Sequence, residues 1–102
     1  MSIKSPLILH HLQEKRSQIL AIAHYHGAYN LRIFGSVARG EATPSSNIDI
    51  LIDYDLDRTT PWFPAGLKLD LEALLDRPID IATPAMLKAR NRDHILSEAI
   101  PL

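Results

Sequence analysis

Cysteine is absent from the 102 residues, which excludes disulfides and thiolate metal sites and makes a cytoplasmic protein the expectation. No apolar run approaches the roughly 18 residues of a membrane helix, so no membrane association is expected. Polar His10, His11, Gln13 and Glu14 interrupt the short apolar patch near the N-terminus, which lacks a signal-peptide shape. Surplus positive charge is also missing. A formal net charge of -1 argues against a dedicated nucleic-acid binder. There is no internal repeat, no low-complexity stretch and no G-x-G-x-x-G, so a dinucleotide-binding fingerprint is excluded. What remains is an ordinary globular composition, 46% hydrophobic and 23% charged, that fits a single domain over residues 1–102.

Ser5-Pro6 reads as an N-cap followed by a first-turn proline. Ile8, Leu12, Ile19 and Ala23 then recur at helical spacing, which predicts one helix over 6–26 stopped by Gly27. Leu31, Ile33 and Phe34 predict a short strand ending at Gly35-Ser36, followed by a helical turn through Val37-Ala38-Arg39 closed by Gly40. In NIDILIDYD the residues Ile48, Ile50 and Ile52 share one strand face, and Asn47, Asp49, Leu51 and Asp53 take the other. Leu67, Leu71, Leu74 and Leu75 mark a further helix ending before Arg77-Pro78. PIDIAT is a short strand, and Thr83-Pro84 opens a final helix to about Ala99. The order α, β, short α, β, α, β, α implies an α/β or α+β sheet packed with helices.

Three features carry chemistry. At Gly35-Ser36 a strand hands over to a helix, where glycine permits close backbone approach and successive N–H groups form an anion nest. A P-loop reading of GSVARGEA fails, because Glu41 stands where the lysine must be and would repel phosphate. Asp49 lies on an acidic strand, and Asp80 sits between Ile79 and Ile81, where burial is costly without a partner. A turn that binds phosphate beside carboxylates on two strands implies a Mg²⁺-nucleotide site, since Mg²⁺ takes a few carboxylates plus phosphates and water.

Gly35-Ser36, ten intervening residues, then Asn47-Ile48-Asp49 resembles the Gly-Ser…Asp-x-Asp signature of the DNA polymerase β-type nucleotidyltransferases. The stretch FGSVARGEATPSSNIDILID, with LEALLDRPIDIAT and HILSEAIPL, resembles the minimal nucleotidyltransferases, antitoxin partners of HEPN-domain toxins. The resemblance implies a polymerase β-like fold in which Gly35 and Ser36 hold the β- and γ-phosphates of ATP. It makes Asp49 a metal ligand and Asp80 the third carboxylate, assisting proton removal from the attacking hydroxyl. The implied reaction is in-line attack on the α-phosphate with Mg²⁺ as cofactor, AMP passing to a tyrosine of the toxin within a hetero-oligomeric complex. Asn47 departs from the pattern, standing where the family has its first aspartate. An amide has no charge and one good ligating oxygen, so weaker metal binding and a rate loss on the order of 10²–10⁴ are expected. A catalytically inactive antitoxin that acts by binding alone is the competing reading.

Other residues carry two readings each. Arg39 is a phosphate contact or a surface ion pair, and Lys68 a triphosphate contact or a solvated lysine. Lys88, Arg90 and Arg92 form a solvated helical face or a contact with a partner or its RNA. His24 and His26, two apart, do not face one another and share no metal. Trp62 and Phe63 are expected to pack under a helix rather than meet a partner.

Overall fold

The computed structural model describes residues 6–102, so the Ser5 cap lies outside the described residues. The expected helix over 6–26 is divided into α1 (Pro6–Glu14) and α2 (Arg16–Tyr25). Lys15 adopts φ -96° and ψ 10° between them. Hydrogen bonding continues through the bend, with Lys15 N–H on the His11 carbonyl at 3.1 Å and Ile19 N–H on the Lys15 carbonyl at 2.9 Å. The reason is packing: α1 lies against α3 (Gly35–Arg39), whereas α2 lies against β1 (Ala28–Phe34) and α4 (Ala65–Leu75). A bend lets one apolar stripe, with Leu12, Ile19 and Ala23 buried, serve both surfaces.

The sheet has the order β3-β2-β1-β4, with β2 at Ile48–Tyr54, β3 at Ile79–Ala82 and β4 at Ile100–Pro101. β1 runs antiparallel to β2 and β4, and β3 runs parallel to β2. A parallel neighbour requires a crossover, which the segment containing α4 supplies. Ile48, Ile50 and Ile52 enter the core with Ile33, Leu67 and Leu71, as the alternation predicts. Leu51 is also buried although it faces the other way, and the 3₁₀ turn Pro84–Met86 packs on β2.

Two irregularities shape the acidic face. The β1–β2 register shifts between Tyr29 and Arg32, and Asn30 takes φ 53°, a left-handed conformation that asparagine tolerates. The bulge is pinned by Asp53, which accepts from Asn30 Nδ2 and Arg32 Nη2, each at 2.8 Å. Asp53 is thereby committed to structure.

The final helix differs from expectation. Thr83-Pro84 begins only the 3₁₀ turn, Leu87 and Lys88 are extended (ψ 136° and 138°), and α5 spans Ala89–Glu98. β4 was not expected at all. Its two residues include a proline, which an edge strand accommodates. Among the described residues, no helix is long and apolar enough to cross a membrane.

Candidate active site

The strand register brings the motif together. Asp49 stands opposite Phe34 of β1 and, on its other side, opposite Asp80 of β3. Residues in register across a sheet share a face, so the two acids are neighbours. Gly35 follows Phe34 directly and begins α3 with φ +73°. A Cβ built on Gly35 would collide with the Asp49 carboxylate. The turn therefore faces Asp49 across a gap that only glycine leaves open, and it does so in a backbone conformation that glycine favours. Gly40, also at φ +73°, closes α3 as expected.

Asn47 lies just before β2, and its Nδ2 donates to Asp80 Oδ2 at 3.0 Å. Asp49 is half-buried, and its carboxyl is pushed up to about 6. Burial is the main cause, followed by the charge of Asp80 and a hydrogen bond shared with it. Arg39 opposes the shift and Glu98 adds to it. Such a shift beside a second carboxylate marks a group whose charged form wants a positive partner.

This donor set fits a hard cation. Two carboxylates converge from neighbouring strands, and Mg²⁺ needs one or two of these beside substrate phosphates and water. Among the described residues, no group of three or more His, Cys, Asp or Glu converges to hold a metal. The third donor of the expected trio is the amide of Asn47, whose nitrogen is turned toward Asp80.

Arg39 forms the ion pair that the sequence offered as one of its two readings, and it also lies near Asp49. It is close enough to Asp49 to favour that group's charged form, yet it forks between Glu41 (2.8 Å) and Glu98 (3.2 Å). Lys68 does not point freely into the site. Its Nζ donates to Glu72 Oε2 at 2.7 Å and to the Ile79 carbonyl at 2.8 Å, while Glu72 accepts from Ile79 N–H at 3.0 Å. Helix α4 thus closes the outer edge of β3 and holds Asp80 in register. A groove of about 310 Å³ lies beside Asp80, lined by Pro64, Ala65, Lys68 and Ile81.

The remaining candidates separate. Lys88 and Arg90 are exposed, but Arg92 is half-buried with Nη2 on the Leu87 carbonyl, so the three do not form one basic face. Phe63 packs on the core and against Tyr54. Trp62 does not: it is 78% exposed, contrary to expectation. His26 carries a role the sequence did not reveal, bridging Asp70 (2.7 Å) and Thr60 (3.2 Å) from a buried position. Glu98 was also missed. It lies in HILSEAIPL, and only the β4–β1 pairing shows that this segment returns to Gly35.

Residues 15–102 match the family model described as the nucleotidyltransferase domain. The chain belongs to this family. A solved structure, provisionally described as a minimal nucleotidyltransferase, superposes with a TM-score of 0.80 at 43% identity, covering 96% of this chain and 99% of that one. A Methanocaldococcus jannaschii protein, provisionally named a protein adenylyltransferase, is 33% identical over 89 residues, or 87% of this chain and 95% of its own length. Protein adenylyltransferase MntA of Thermococcus cleftensis is 33% identical over 76 residues, or 72% of this chain and 74% of its own length. Minimal nucleotidyltransferases are thus the relatives of this chain, and by family it is an enzyme.

Proposed function

We propose that this nucleotidyltransferase moves AMP from ATP to a tyrosine hydroxyl of a cognate HEPN-domain toxin, and so silences the toxin's ribonuclease. The observation that carries the reading is the placement of Gly35 against Asp49 with Asp80 in register beside it. Relatives named as protein adenylyltransferases support a protein acceptor.

In this reading the Gly35 N–H, the Ser36 hydroxyl and Arg39 hold the β- and γ-phosphates. Asp49 and Asp80 would hold Mg²⁺, which when bound offsets the negative charge of the triphosphate. The phenol oxygen forms a bond to the α-phosphorus as the bond to the pyrophosphate oxygen breaks. The phenol proton passes to Asp80, whose exposed position beside a groove leaves room for an acceptor side chain. The protein's part is positioning and charge compensation.

A specific observation favours a second reading, neutralisation by binding with little or no transfer. The nitrogen of Asn47, not its oxygen, addresses Asp80, so one of the expected metal donors is directed to holding a carboxylate. Intact-mass measurement of the toxin after incubation with this protein, ATP and Mg²⁺ separates the two. Added AMP units support transfer, and Asn47→Asp is expected to speed it by on the order of 10²–10⁴. Inhibition of the toxin without a mass change, with adducts appearing only for Asn47→Asp, supports binding alone. If the restored aspartate gives neither nucleotide binding nor transfer, the site assignment fails.

A further inference from the structure

Glu98 ends α5, and its carboxylate reaches the Gly35 turn. Its Oε1 accepts from the Gly35 N–H at 3.4 Å and from Arg39 Nη1 at 3.2 Å, and its Oε2 lies 3.4 Å from the same Arg39 nitrogen. His94, one helical turn earlier, is 3.7 Å away. The side chain is only 14% exposed, so these groups rather than water compensate its charge.

A third acid in this corner is electrostatically expensive, since its charge adds to that of Asp80 at Asp49. Arg39 and the Gly35 N–H make the placement tolerable. They are also the donors assigned above to the triphosphate. A carboxylate and a phosphate oxygen ask the same of an N–H or a guanidinium, and both cannot be satisfied at once. The anchor differs from that of a surface side chain: Ile33 pairs with Ile100 just beyond Glu98, and Leu102 N–H bonds the Leu31 carbonyl at 3.0 Å. The chain is fastened to the sheet so that this carboxylate meets the turn.

We propose that Glu98 is an internal anion that occupies the Gly35–Arg39 phosphate site of the free protein and must be displaced by an incoming nucleotide. This rests on the nucleotide reading above and deepens it. A ligand that places β- and γ-phosphates there has to outcompete a carboxylate already in place, whereas AMP has no phosphate to put in that position. Glu98 thereby weakens triphosphate binding and leaves monophosphate binding nearly unchanged.

Calorimetric titration of the full chain and of Glu98→Gln with ATP plus Mg²⁺, and separately with AMP, tests this. Glutamine keeps the shape and an acceptor oxygen but removes the charge. Glu98→Gln is expected to bind ATP on the order of tenfold tighter, with AMP affinity changed less than about threefold. ATP binding by the variant that is equal to or weaker than that of the parent overturns the proposal, while leaving the nucleotide reading intact if the parent binds ATP. Absence of ATP binding by both proteins overturns the two together, and binding by Glu98→Gln alone supports both. If the variant does not fold, NMR titration of the parent with tripolyphosphate decides. The Gly35 amide and the Glu98 carboxyl carbon are expected to shift together. A Glu98 signal that stays in place while Gly35 moves, or two signals that both stay, overturns the proposal.

Discussion

A methyl group at residue 35 would meet the Asp49 carboxylate, and the backbone there already sits at φ +73°. Gly35→Ala is therefore expected to cost about 1–3 kcal/mol of stability and to abolish ATP binding, checked by urea unfolding and calorimetry. Asp49 makes a second prediction. In the metal-free protein its folded pKa of about 6 lies above the ordinary aspartate value of 3.8. The folded state holds the extra proton between those values, so the stability this gives is complete below pH 3.8 and is lost as pH rises through about 6. Asp49→Asn is expected to be more stable than the parent above pH 6, on the order of 1 kcal/mol after solvent screening, with the gap closing toward pH 4. Urea unfolding across that range measures it. Both residues were legible as candidates in the sequence. Their contact was not, because it depends on Phe34 and Asp49 pairing across β1 and β2.

At the scale of elements, α4 and β3 are joined by one clasp. Glu72 and Lys68 satisfy the N–H and carbonyl of Ile79 on the outer edge of the sheet. The Glu72 carboxyl is held below the usual carboxylate range, first by its hydrogen bond from Lys68 and then by the Ile79 N–H. Its contribution is present above pH 4.5 and is lost as pH falls through the depressed folded value. Glu72→Gln is expected to speed hydrogen exchange at the Ile79 amide by on the order of tenfold at neutral pH, and to leave little difference from the parent in strong acid. The i, i+4 spacing of Lys68 and Glu72 was visible in the sequence, but the strand they serve was not. The same limit explains the other misses. The bend at Lys15 answers two packing surfaces, and β4 is too short to show a period. Thr83-Pro84 has the composition of a helix start but forms only a 3₁₀ turn, because Leu87 and Lys88 are extended.

Across the whole molecule the site and the main buried polar bridge lie at opposite ends of β1. Gly35 follows its last residue, while His26 lies just before its first, about 20 Å away for a seven-residue strand. His26 ties α2 to α4 through Asp70 and to the loop at Thr60. His26→Ala is expected to lower stability by about 2–4 kcal/mol. Distant sites act nearly independently, so ATP affinity should change less than about threefold where the variant is folded. Denaturation and calorimetry on the same preparation check both halves. Local pattern alone determined the acidic strand and its buried isoleucine face and the Gly35-Ser36 turn, since alternation and turn chemistry act within a few residues. Tertiary structure decided that Asp49 meets both Gly35 and Asp80, that Lys68 serves a strand edge, and that Glu98 returns to the Gly35 turn. Those facts join residues between 11 and 63 positions apart, and the proximity of such residues is set by strand register and core packing.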